Sequence, residues 1–117
     1  MQRLPKKERL HGETIIHQLF DKSKRFTVYP LRIHYIPRPT QEKSRIVISI
    51  PKRFFKHAVD RNLLKRRIRE AYRLNKPTLS VDMASVYISS EIATFDTLQE
   101  CIKRTVVQLN NRHKVEE

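Results

Sequence analysis

The sequence predicts an α+β sandwich, a single sheet with helices packed against it. Three observations lead there. Apolar residues recur at helical spacing in separated segments, and β-favouring residues alternate in the stretches between them. The resulting order is helix, strands, helix, strand, helix. With 117 residues the chain has room for one domain, expected to span 1–117 with a basic arm at 1–9 and a polar tail at 111–117.

The opening helix is expected over His11 to Phe20, where Ile15, Ile16, Leu19 and Phe20 fall at helical spacing and Gly12 stands near the start. Phe26 to Ile36 is rich in strand formers, and Pro30 marks a bend or an edge position within it. Beyond Pro30, Leu31, Ile33 and Tyr35 share one face, and Arg32, His34 and Ile36 the other. One face of the sheet is therefore expected to be basic and partly exposed. Pro37 to Lys43 is a polar linker. Arg45 to Ile50 returns as a strand, with Ile46, Ile48 and Ile50 alternating against Val47 and Ser49. The spacing predicts an antiparallel hairpin between these two strands.

Pro51 to His57 leads into a helix over about 58–75, ended by Pro77 because the residue before a proline avoids helical geometry. Val81 to Ser90 is a further strand. Phe95, Leu98, Ile102, Val106 and Leu109 mark the last helix, with Thr94 or Asp96 as its cap and Thr97 and Glu100 at capping-box spacing.

Charge narrows the function. The chain has 25 Lys and Arg against 12 Asp and Glu, a net charge of +13, and a domain so charged repels itself unless it meets a polyanion. Nucleic acid is the first candidate. An anionic membrane surface is the second; no run approaches the ~18 apolar residues a span needs, and a membrane partner is not expected. Cys101 is the only cysteine, which excludes an intrachain disulfide and suits a reducing compartment. Inside an apolar helical pattern it reads as a small core residue. No apolar signal segment follows Met1, so the cytoplasm is the expected location.

The segment Arg61 to Arg73 holds six basic residues and one acidic one. At about 100° per residue, Lys65, Arg66, Arg69 and Arg73 fall within about 60° of Asn62, with Arg61 at the border of the stripe. Leu64, Ile68, Ala71 and Asn75 cluster opposite, and Glu70 falls off the stripe. Cations stacked at this spacing repel one another, and a row of phosphates relieves the repulsion. Arginine suits that task because its planar fork donates two parallel hydrogen bonds. Asn62 is either a cap of the helix start or a contact to ribose or base. Lys52, Arg53 and Lys56 extend the basic surface upstream; Phe54 and Phe55 among them are candidates for core packing or base stacking.

No catalytic residues are assigned. The acids are scattered, the five histidines lack ligand spacing, and one cysteine cannot build a zinc site. A single glycine rules out a phosphate-cradling loop. RNA is favoured because the basic helix is expected beside a curved sheet face, a broad surface that reads shape; neither a helix-turn-helix pair nor a dimerising heptad is present, and DNA is not expected.

At Arg61-Asn62-x-x-Lys65-Arg66-x-x-Arg69-Glu70 the sequence closely resembles the bacterial ribonuclease P protein component, and Lys52-Arg53 and Ala58-Val59 match the approach to that motif. The resemblance covers nearly the whole chain. It implies an αβββαβα domain with a mixed sheet and a left-handed βαβ crossover containing the basic helix. It implies as partners the catalytic RNA of ribonuclease P and the 5′ leader of precursor tRNA, whose removal the protein assists. The RNA subunit would perform the cleavage and hold the Mg²⁺, with none bound by the protein alone. Arg61, Asn62, Lys65, Arg66 and Arg69 would contact the catalytic RNA. A cleft between the first helix and the sheet, with Phe20, Ile16, Arg32 and His34, would hold the leader. Lys56 and Ser23 stand where relatives often carry glycine, and Ile16 where they carry an aromatic. The alternatives are a ribosomal or ribosome-assembly protein and a stand-alone nuclease.

Overall fold

The computed structural model describes residues 19–21, 23–38, 43–78 and 80–116, with side chains described as far as 111. The arm at 1–9, Ile16 and most of the expected opening helix lie outside the described residues; Leu19, Phe20 and Asp21 are helical. Then come β1 (Lys24–Val28), β2 (Leu31–Pro37), β3 (Arg45–Ser49), α1 (Ala58–Leu74), β4 (Val81–Tyr87) and α2 (Phe95–Glu116). This is the expected α+β class, with a four-stranded mixed sheet in the order β1-β2-β4-β3.

The strand pairing differs from the hairpin expected above. Pro30 does not bend one strand but separates two: Tyr29-Pro30, a cis peptide, is the turn of a β1–β2 antiparallel hairpin in which Phe26 faces Ile33. β3 does not pair with β2. It lies at the sheet edge, parallel to β4, with Ile46 opposite Met83. β4 fills the place between, antiparallel to β2, with His34 opposite Ala84. The reason is burial. Val81, Met83, Ala84, Ser85, Val86 and Tyr87 are all buried, as a central strand covered on both faces requires, whereas β3 is half exposed. The β3–α1–β4 unit thus makes the basic helix the crossover between two parallel strands.

One sheet face carries the main core. Phe26, Val28, Leu31, Ile33, Tyr35, Ile46, Val81, Met83 and Tyr87 meet Leu64, Ile68, Ala71 and Tyr72 of α1 and Leu98, Cys101, Ile102 and Leu109 of α2. The spacing of each helical set gives one apolar stripe per helix, so both helices cover this face. On the opposite face only a small cluster forms, Leu19 against Ala84 with Ile36 and Val47 beside it.

The helix ends follow local chemistry. Asn75 closes α1, its side-chain amide donating to Ala71 O at 2.9 Å and its backbone N–H to Tyr72 O at 3.1 Å. Thr94 caps α2, its Oγ1 accepting from Thr97 N at 3.2 Å. Arg67 ties the helices together by donating to Ala93 O at 2.6 Å, in the turn before α2. Among the described residues no helix is long and apolar enough to cross a membrane.

Candidate nucleic-acid interface

The face of α1 remote from the core is cationic. Leu64, Ile68, Ala71 and Tyr72 are buried, which turns Asn62, Arg66 and Arg69 outward as exposed residues with Lys65 half-buried at the margin. Among the described residues no ion pair or hydrogen bond engages the side chains of Asn62, Lys65, Arg66 or Arg69. Asn62 is not a cap: the helix begins at Ala58 with His57 as N-cap, which puts Asn62 in the second turn.

Two arginines of the stripe are engaged. Glu70, expected to stand clear, reaches Arg73 in a two-pronged pair, with Oε1 at 2.5 Å from Nη2 and Oε2 at 3.1 Å from Nε. The hydrogen bond to Arg73 holds the Glu70 carboxyl below its ordinary range and raises Arg73 above its own. The stripe is therefore free of acids only as far as Arg69. Arg61 donates through Nη1 to two main-chain carbonyls, Phe55 O at 2.7 Å and Lys56 O at 2.9 Å.

Those carbonyls belong to the loop that delivers Lys52, Arg53 and Lys56, all exposed. Phe55 is core, its ring 5.7 Å from that of Tyr87. Phe54 is half-buried against the core, and the Arg53 guanidinium lies 4.9 Å above its ring.

The second sheet face brings Phe20, Arg32 and His34 together. The rings of Phe20 and His34 meet edge-on at 4.9 Å, and Phe20 remains 41% exposed. Arg32 Nε–H donates to His34 Nε2 at 3.2 Å. That leaves Nδ1 to carry the proton, 3.4 Å from Ser23 Oγ. His34 is only 5% exposed, less than expected for an open basic face. Its burial, with the like charges of Arg32 and Arg25, pushes the imidazole pKa down. Arg25 was not singled out in the sequence, although the alternation of Phe26 and Val28 places it opposite His34 on this face.

At the other end of this face Arg45 grips Asp82 with two bonds of 2.7 Å, and Arg38 Nε stands 3.6 Å from the same carboxylate. Glu70 and Asp82 are thus both neutralised by arginine, and no group of three or more His, Cys, Asp or Glu among the described residues is arranged to hold a metal ion. Cys101 is core, as expected. Its thiol donates to Val28 O at 3.0 Å, and burial pushes its pKa up to about 11.

Against known proteins, the profile of the family described as Ribonuclease P matches residues 4–110. The chain belongs to the ribonuclease P protein family. It is 33% identical to the ribonuclease P protein component of Porphyromonas gingivalis, over 91% of this chain and 85% of that one. Against the component of a Picosynechococcus species the identity is 35%, over 94% and 97%. Solved ribonuclease P proteins share the fold: that of Staphylococcus aureus with a TM-score of 0.76 at 20% identity, covering 90% of this chain and 96% of that one, and that of Thermotoga maritima with 0.75 at 24%, covering 85% and 94%. Membership makes the chain a protein subunit of ribonuclease P, an endoribonuclease of tRNA 5′ processing that contains RNA.

Proposed function

We propose that this subunit binds RNA through two separate faces and leaves bond cleavage to the catalytic RNA. The outer side of α1, with Asn62, Lys65, Arg66 and Arg69, grips phosphates of the catalytic RNA together with Lys52, Arg53 and Lys56 of the preceding loop. Arg73 works at the margin, its charge shared with Glu70. The second sheet face, with Phe20, Arg32 and His34, holds the 5′ leader of precursor tRNA, and Ile16 is the further leader-binding residue that the sequence resemblance implies. A half-exposed aromatic set edge-on against His34, which itself accepts from the Arg32 guanidinium, suits a single strand, because every base has a stacking face and every linkage a phosphate. The Mg²⁺ of the reaction belongs to the RNA subunit, and the complex works in the cytoplasm.

The observation that carries this reading is the row of cations on the outer side of α1, unpaired among the described residues and continued by the loop before it. An ordinary solvated helix face mixes both signs of charge; this one keeps acids away as far as Arg69. The decisive experiment incubates precursor tRNA with the protein alone, the catalytic RNA alone and the two together, at moderate salt and Mg²⁺. Cleavage is expected with both at once, and the protein alone is expected to leave the substrate intact. Cleavage by the protein alone would transfer the chemistry to the protein and end the proposal.

A further inference from the structure

Arg61 stands first in the basic motif, where a phosphate contact is the obvious assignment. Its geometry is that of a brace instead. One nitrogen, Nη1, donates to Phe55 O and Lys56 O, at 2.7 and 2.9 Å. Both carbonyls precede the N-cap His57, where the chain leaves the loop for the helix. Arg61 also continues the first helical turn, its backbone N–H reaching His57 O at 3.3 Å. The loop has two further anchors: Phe54 N–H donates to Pro51 O at 3.2 Å, and the Phe55 ring is buried against Tyr87. No side chain caps the start of α1, and the Arg61 guanidinium is a polar side-chain anchor at this junction. What it holds in register is the segment bearing the exposed Lys52, Arg53 and Lys56. The same contacts satisfy two main-chain carbonyl oxygens just ahead of the helix start.

We infer that Arg61 is a positioning residue: it contributes to RNA binding by fixing the Lys52–Lys56 loop against the start of α1, and not by touching phosphate itself. The inference rests on the reading of α1 and its loop as the RNA-binding face. It separates Arg61 from Arg66 and Arg69, whose guanidinium groups have no such engagement.

The test is a double-mutant cycle on the full chain, read by equilibrium binding to the ribonuclease P RNA across a range of KCl concentrations. The variants are Arg61→Ala, Arg61→Lys, the triple variant Lys52→Ala/Arg53→Ala/Lys56→Ala, and the triple variant with Arg61→Ala added. Arg66→Ala and Arg69→Ala serve as references, and each is expected to flatten the log K against log salt slope by about 0.7–0.9. With the loop intact, Arg61→Ala weakens binding by roughly tenfold, an effect comparable to losing one or more phosphate contacts. In the triple-variant background the same substitution changes binding by less than about twofold, because nothing remains to be positioned. Hydrogen exchange of the free protein gives a second readout that does not depend on RNA: amides of residues 52–57 exchange faster in Arg61→Ala, while those of the central strand β4 do not. Arg61→Lys keeps the charge but loses the fork, and recovers slow loop exchange only in part. Persistence of the full Arg61→Ala effect in the triple background, with the slope flattened by one further contact, overturns the positioning role alone. Unchanged slopes in both Arg66→Ala and Arg69→Ala overturn the interface reading beneath it.

Discussion

His34 illustrates how a single residue couples the second sheet face to pH. Burial and the charges of Arg32 and Arg25 hold its pKa below the ordinary value near 6.5. As pH falls, the unfolded chain binds this proton first. The stability tied to a neutral His34 is therefore whole above about pH 6.5, declines as pH drops towards the folded pKa, and levels off below it. An imidazole titration followed by NMR should give a midpoint below 6.5, and the thermal midpoint should fall more between pH 7 and 5 in the native chain than in His34→Phe. A midpoint at or above 6.5 would contradict the arrangement in which Nε2 accepts from Arg32. Glu70 supports a second expectation. Its pairing withdraws Arg73 from the stripe, so Glu70→Gln should tighten RNA binding and steepen the salt slope by up to about 0.9; equal slopes would mean that Arg73 never reaches a phosphate. The positions of Arg61 and Glu70 around the helix were legible from the sequence, but their partners were not. Angular position on a helix gives the direction of Cβ, whereas a long side chain can swing to an acceptor at i−5 or i−3, as Arg61 does to Lys56 O and Arg73 to Glu70.

For the elements, periodicity predicts faces better than neighbours. The alternation of Leu31, Ile33 and Tyr35 against Arg32, His34 and Ile36 matches the two sides of β2, and the stripe Leu64, Ile68, Ala71 matches the buried side of α1. Pairing was misread because alternation in Ile46, Ile48 and Ile50 says which way a strand faces, but not whether it sits beside β2 or beyond β4. The turn at Tyr29-Pro30 was misread for a related reason: a proline in a strand-like run signals an interruption, and only tertiary pairing reveals that the chain reverses there. The two sides of α1 should separate cleanly in measurement. Leu64→Ala or Ile68→Ala removes a fully buried side chain from the main core and should cost about 2–5 kcal/mol in denaturant unfolding. Arg66→Ala and Arg69→Ala should stay within about 0.5 kcal/mol, since exposed positions without partners contribute little to stability. If an arginine variant unfolds as readily as Leu64→Ala, the stripe is structural and not an interface.

At the scale of the whole molecule, the sheet divides the proposed work. α1 and α2 cover one side, while Leu19 and the Phe20–His34 ring pair lie on the other, so the cationic stripe of α1 and that ring pair are held apart by a packed layer. The net charge of +13 accelerates the approach of any RNA and gives no preference between catalytic RNA and substrate. On the proposed reading, discrimination comes from the local chemistry of each face: a run of cations as far as Arg69 on α1, and the Phe20–His34 ring pair with Arg32 on the sheet. Phe20→Ala should therefore weaken the assembled enzyme's hold on precursor tRNA by ~1–3 kcal/mol, the range for loss of one base stack, and leave its affinity for tRNA without a leader unchanged. Arg69→Ala should weaken assembly with the catalytic RNA whether or not the substrate bears a leader. Combined in one chain, the two substitutions share no partner and act across the sheet, so their effects should add to within about 0.5 kcal/mol. A coupling well beyond that, or an equal loss from Phe20→Ala with leaderless tRNA, would mean that one continuous surface serves both RNAs and that the sheet does not partition them.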